Sequence, residues 1–220
     1  MTEADEIFGI IKRICPVVLS AAVTPTTTTG SAMRRMVGMM AVDYNMINLP
    51  TFSMVLGMCL DLARRCSATL PTMDRVRKQA MTETPVTFKA TQFVLAIVRL
   101  TLACEGRILA AMTFRSRDEV DAIARAVNTA FEQAALIASD DLDANTYMAI
   151  IRLHGDITRF LSDSGRVLPR VINYEYQIVM PAYRMSHQVY ADPLRATELI
   201  NENAVVHPAF MPLTGKMLAV

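Results

Sequence analysis

Apolar residues recur at helical spacing through most of the first 165 positions. Ile7, Ile10, Ile11, Ile14 and Val18 line one face of a helix expected over residues 3–23, and Pro16 inside it removes a backbone donor, so a kink or a division is expected there. The Thr-rich stretch at 24–31 reads as a loop punctuated by Gly30. Two Met-rich helices are expected at 32–44 and 51–66, separated by Asn45, Asn48 and Pro50. In them Met33, Met36, Met40, Met54, Leu56, Met58, Leu60 and Leu62 read mostly as core, with a Met-lined binding surface as the alternative. Pro71 and Pro85 bracket a poorly patterned connector at 67–85.

A long helix follows from Phe88 to Met112, with Val94, Ile97, Val98, Leu102 and Ile108 at core spacing. Residues 113–116 interrupt it. Ser116 and Glu119 then fit a capping box, in which Ser accepts from a free amide of the first turn and Glu reaches back to the cap amide. Val120, Ile123, Val127, Phe131 and Ala134 continue along one face of that helix. After Asp140 and Asp141, a last long helix from about Asp143 to Ser162 carries Tyr147, Ile150, Ile151, His154, Ile157 and Leu161 on one stripe, with Gly165 as its stop.

From Arg166 the pattern changes. Val171, Ile172, Tyr174, Tyr176, Ile178 and Val179 are β-branched, aromatic or both in alternation, and Pro169 and Pro181 flank them, which predicts a short strand. Pro181 suits the first turn of a helix, and Asp192–Pro193 repeats the device as N-cap and first position of a second helix reaching Asn203. Lys216–Val220 supplies a closing strand. The fold class is therefore mainly α, with a multi-helix body at 1–165 followed by a small α+β module at 166–220 of the order strand, helix, helix, strand.

Composition narrows the function. A net charge of +1 offers no field for gripping a polyanion, because sequence-independent nucleic-acid binding needs many cationic contacts to phosphates. The densest basic stretch, Arg64, Arg65, Arg75, Arg77 and Lys78, is diluted by Asp61 and Asp74 and reads as a solvated face. Each apolar run carries charge, which argues against a membrane span, and the acidic start (Glu3, Asp5, Glu6) lacks the basic lead of a secretory signal. Cys15, Cys59, Cys66 and Cys104 lie in apolar periodic runs without zinc spacing, so buried thiols are expected, a disulfide between distant segments remaining the alternative.

The residues assemble no catalytic signature. His154, His187 and His207 are too widely spaced for a one-helix metal pair, and no nucleophile elbow or phosphate-cradling Gly-rich loop occurs. Asp118, Glu119 and Asp121 fall in the first turn of a helix, where negative charge offsets the dipole. No catalytic residue, cofactor or metal is assigned. Tyr183, Tyr190 and Phe210 read as filling a small core, with a sugar platform as the alternative. His207–Pro208 and Met211–Pro212 restrict the backbone before the last strand and shape a rigid loop suited to contact.

Phe93, Cys104–Glu105, Phe114–Glu119, Asp141, Tyr147, Arg152, Asp156, Leu168 and Pro169 fall in an order and spacing that becomes densest at the end of the chain. There stand Ala182–Arg184, Tyr190–Asp192, Glu198–Ile200 with Asn203, and His207–Phe210 with Pro212. Over roughly the last three fifths of its length the chain resembles the Mu-like contractile-phage proteins known as DNA circularisation, or DNA circulation, proteins of the tail and baseplate. Its terminal module is similar to LysM-like modules, with Ala191 where those usually have Gly. The amino-terminal domain of long family members is not recognisable in residues 1–90, and the Gly-Asp-Thr-Leu opening of a peptidoglycan-binding LysM is absent.

The resemblance implies a non-enzymatic virion component of the baseplate or tail hub, made in the host cytoplasm and present in several symmetric copies. Its partners would be other baseplate, tail-tube and hub proteins, without nucleic acid or membrane. Tyr183, Tyr190, Asn203, His207, Pro208, Phe210 and Pro212 would form the module's core and contact edge. A peptidoglycan-binding LysM protein and a DNA-handling protein are the alternatives.

Overall fold

A computed structural model describes residues 2–24, 28–140 and 144–219. It is mainly helical, at 73% helix with nine α-helices, and holds one two-stranded sheet among the described residues. The chain forms two compact units, Met1–Met112 with Thr129–Ile157, and Thr113–Asn128 with Thr158–Val220. The second unit thus takes in residues 113–128 and 158–165 in addition to the 166–220 module read from the sequence.

The first unit is built from α1 (Glu3–Ser20), α2 (Thr28–Val42), α3 (Leu49–Arg65), α4 (Leu70–Thr82) and α5 (Phe88–Leu109), with the later part of α6 (Arg117–Asp140) and the earlier part of α7 (Ala144–Arg166). A 3-10 turn, Tyr44–Ile47, links α2 to α3. Helix starts are set by short polar side chains that accept from otherwise unpaired amides. Thr2 and Asp5 close a capping box on α1, Asn48 accepts from Thr51 at 3.4 Å on α3, and Thr87 accepts from Ala90 at 3.3 Å on α5.

The Ile stripe of α1 is buried as its spacing requires, and Phe52 and Phe93 pack with ring centroids 4.9 Å apart among Met33, Met40, Leu56, Leu60 and Met73. Burying each such side chain favours folding by about 1.5–3 kcal/mol. Helix α1 runs through Pro16 as one element instead of dividing there.

Four expectations need correction. The connector at 67–85 contains α4: Thr69 and Thr72 form its capping box, Pro71 sits in the first turn, and Thr72, Met73, Val76, Arg77 and Ala80 turn inward at helical spacing. Two of those inward residues are polar, which masks the periodicity. The loop at 24–31 is shortened because α2 already begins at Thr28, and its residues 25–27 lie outside the described ones, as do Asp141 and Asp143 of the α7 approach. Met54 and Met58 are exposed, since they point away from the stripe formed by Phe52, Leu56, Cys59 and Leu60. Gly165 does not stop α7, which continues to Arg166; a Cβ at that position would stand 3.4 Å from Val120 Cγ1, an ordinary van der Waals contact.

In the second unit Ser116 accepts from the Glu119 amide at 3.3 Å, while Glu119 accepts from Arg115 at 2.9 Å, one residue before the expected cap amide. Then come β1 (Val171–Glu175), α8 (Ala182–Tyr190), α9 (Ala196–Glu202) and β2 (Thr214–Leu218), giving the order strand, helix, helix, strand. The strands pair antiparallel with Val171 opposite Leu218 and Tyr174 opposite Gly215. Asp192 caps the 3-10 turn Pro193–Arg195 that leads into α9, accepting from Leu194 at 2.8 Å. Pro181 is the N-cap of α8, one place before the first turn.

Candidate docking surface

The module's core is small and complete: Tyr174, Met180, Ala182, Met185, Tyr190, Ala196, Leu199 and Met211 are buried together. Side chains bonded to backbone hold it. Tyr190 Oη accepts from the Leu218 amide at 3.0 Å, and the Arg195 guanidinium lies 3.9 Å from the Tyr190 ring centre. Asn203 accepts from the Lys216 amide at 2.7 Å and donates to the carbonyls of Lys216 and Leu199, both at 2.8 Å. Ser186 donates to the Asp192 carbonyl at 2.5 Å, closing the turn in which Ala191 takes the left-handed conformation with φ 55°.

Around this core two irregular segments run side by side. Tyr176 donates to Leu213 at 2.7 Å, Met211 to Met180 at 3.1 Å, and Ala182 to Pro208 at 2.7 Å. Met180 and Met211 turn inward, so their neighbours turn out. Ile178 is 73% exposed, Tyr183 64% and Phe210 72%, with Val179 and Leu213 also at the surface. Between Glu175 and Arg184, and between His207 and Lys216, there is no Asp, Glu, Lys or Arg. A charge-free cluster of large exposed apolar side chains is the usual mark of a contact site.

The seven residues singled out from the sequence divide cleanly. Tyr190 and Asn203 are structural, one in the core and one fastening β2. Tyr183, His207, Pro208, Phe210 and Pro212 are exposed. Reading Tyr183 and Phe210 as core fillers is therefore corrected: Met180, Met185 and Met211 fill that space, being long and adaptable. Ile178 and Val179 belong to the surface cluster rather than to a strand, because β1 ends at Glu175. Asp118 was read only as a dipole partner, yet its carboxylate accepts from the Val171 amide at 2.7 Å and pins the start of β1.

Elsewhere the reactive groups are occupied or muted. All four cysteines are free and buried, and burial pushes the Cys15 and Cys104 thiols up to about 11 and the Cys59 thiol to about 12, so these three stay protonated. Among the described residues no three His, Cys, Asp or Glu side chains are grouped to hold a metal ion, and His154 stacks on Phe131 at 5.3 Å. Much of the basic stretch is paired within the fold: Lys78 meets Asp74 at 2.6 Å, Arg64 meets Asp61 at 3.8 Å, and Arg77, itself buried, bonds Asp74 and lies 3.5 Å from Glu105. Desolvation nevertheless dominates at Glu105, raising its carboxyl to about 7 against the pull of Arg77. No helix among the described residues is long and apolar enough to cross a membrane. No family model matches the sequence, and no curated protein matches it.

Proposed function

We propose that this chain is a non-enzymatic structural subunit of a contractile phage tail, in the baseplate or hub, and that its carboxy-terminal module clasps a neighbouring tail protein. The carrying observation is the exposed, charge-free cluster of Ile178, Val179, Tyr183, Phe210 and Leu213 on a module whose own core is already filled. Apolar surface of that kind gains free energy only when a partner removes it from water. The ordered resemblance through Tyr190–Asp192 and His207–Pro212 supports the choice of a tail protein as that partner. The internally paired arginines support protein contact over DNA handling.

Co-expression with the proteins of a contractile tail tests this reading. Capture of a tail protein by the full chain, lost in Phe210→Asp while the fold persists, is the expected result; a monodisperse monomer that ignores every tail protein overturns it. Exposure of Tyr183 and Phe210 favours one second reading, stacking of these rings on a glycan. Retention on peptidoglycan that disappears in Tyr183→Ala would support it, whereas Tyr190, enclosed in the core, would offer no face to a sugar.

A further inference from the structure

The two outer edges of the small sheet are treated differently. In the antiparallel ladder, Tyr176 donates to Leu213 and Ala219 to Arg170, both at 2.7 Å, so Arg170, Ile172, Tyr174 and Tyr176 point their backbone groups toward β2. Val171, Asn173 and Glu175 point theirs away. The same alternation sends Lys216 and Leu218 of β2 outward, where Asn203 and Tyr190 meet them. On β1, Asp118 takes the Val171 amide, but the amides and carbonyls of Asn173 and Glu175 have no partner among the described residues, and both residues are exposed. Edge strands are normally covered, charged or twisted out of reach, because an open row of donors and acceptors is a template for another strand.

We infer that the outer edge of β1 at Asn173–Glu175 is a strand-docking edge that receives an extended segment of another protein, with Lys or Arg set beside Glu175. Three observations fix the register and the occupant. Asp118 closes the Val171 end, so the incoming strand starts at Asn173 and runs toward the exposed Ile178 and Val179. Glu175 is exposed and makes no ion pair among the described residues, and a shallow hollow lined by Asn173, Tyr174, Glu175, Thr214, Gly215 and Lys216 opens beside it. A second copy of this chain is the poorer occupant: twofold pairing through the open groups sets Val171, Asn173 or Glu175 opposite Glu175, and none of these is a cation. Main-chain hydrogen bonds would supply affinity and the alternate side chains specificity. This inference stands on the hydrogen bonding of β1 and does not depend on the baseplate reading.

The test selects binders to the full chain from a library of random dodecapeptides. The expected winners alternate apolar and polar residues around a Lys or Arg and slow amide exchange at Asn173 and Glu175. They lose roughly tenfold or more in affinity when their alternate backbone amides are N-methylated, a change that leaves the protein untouched. Asn173→Pro should weaken them comparably, and Glu175→Lys should turn the selection toward acidic peptides. Absence of enriched peptides, enriched peptides that tolerate N-methylation, or a dimer of the chain itself that Asn173→Pro abolishes would each overturn the inference.

Discussion

Helices α1–α5 and the terminal α+β module solve the problem of cohesion by different means. The helical body is held by apolar contact: the Ile stripe of α1 together with Phe52, Phe93, Met33, Met40 and Met73 is out of water, and inward polar groups such as Glu6, Arg77 and Glu105 reach across to other helices or loops. The module has a much smaller apolar centre, and it relies on Tyr190, Asn203, Ser186 and Asp118 to satisfy strand and turn backbone directly. A small core covers only some of its large side chains: here Tyr174 and Tyr190 are inside, while Tyr183 and Phe210 are left outside.

Truncation of the body's core should expose the contrast most strongly. Phe93→Ala removes a fully buried ring packed at a tilt against Phe52 and is expected to cost about 3–5 kcal/mol in denaturant unfolding. A loss under about 1 kcal/mol would mean that the body is not organised around that contact.

Next in size is a pH effect peculiar to the body. Glu105 holds its proton up to about 7 in the fold, against an ordinary value of 4.5 once unfolded. Between those values the native state binds more protons, so the contribution of Glu105 to stability is greatest below 4.5, falls as pH rises toward 7, and is level above it. The fall should be roughly 3 kcal/mol, and Glu105→Gln should flatten it. Equal slopes in the two proteins would show that the burial of Glu105 is not what sets the profile.

In the module the corresponding losses come from hydrogen bonds. Asn203→Ala frees the outward amide and carbonyl of Lys216 together with the Leu199 carbonyl, for an expected cost of about 1–2 kcal/mol, visible as faster amide exchange at Lys216. The smallest effect has the opposite sign. Ala191 adopts a left-handed backbone that only glycine takes without penalty, so Ala191→Gly should raise stability by about 1 kcal/mol. A decrease in thermal stability would show that the Ala191 methyl contributes packing worth more than the strain.

How far the sequence could be read follows the same division. Apolar periodicity located α1, α3, α5 and the α6 stripe from Val120 to Phe131, because each buries hydrocarbon at regular spacing. It missed α4, whose inward face includes Thr72 and Arg77, and misplaced Met54 and Met58, whose bulk alone does not say which way they point. In the module the Asp192–Pro193 turn and β1 were legible from proline and β-branched residues, though β1 ends at Glu175, before Ile178 and Val179; the closing strand, expected at 216–220, begins two residues earlier at Thr214 and ends at Leu218. The surface cluster was not, since large apolar side chains carry the same letters inside and out. Nor was the role of Asp118, whose partner lies 53 residues along the chain.

The Glu6 carboxylate accepts from the Val86 amide at 2.5 Å and from Thr87 Oγ1 at 2.8 Å, bonds that also hold its pKa below the ordinary value for a glutamate. Val86 follows Glu6 by 80 positions. On a ribosome adding about 5–20 residues per second, that separation is a wait of roughly 4–16 seconds during which the first helix has been made but its polar anchor has not. The aliphatic stripe Ile7, Ile10, Ile11, Ile14 and Val18 need not wait as long, because α2, α3 and α4, which pack on α1, are all made before Val86, so the apolar seat of this helix can form before its polar anchor exists.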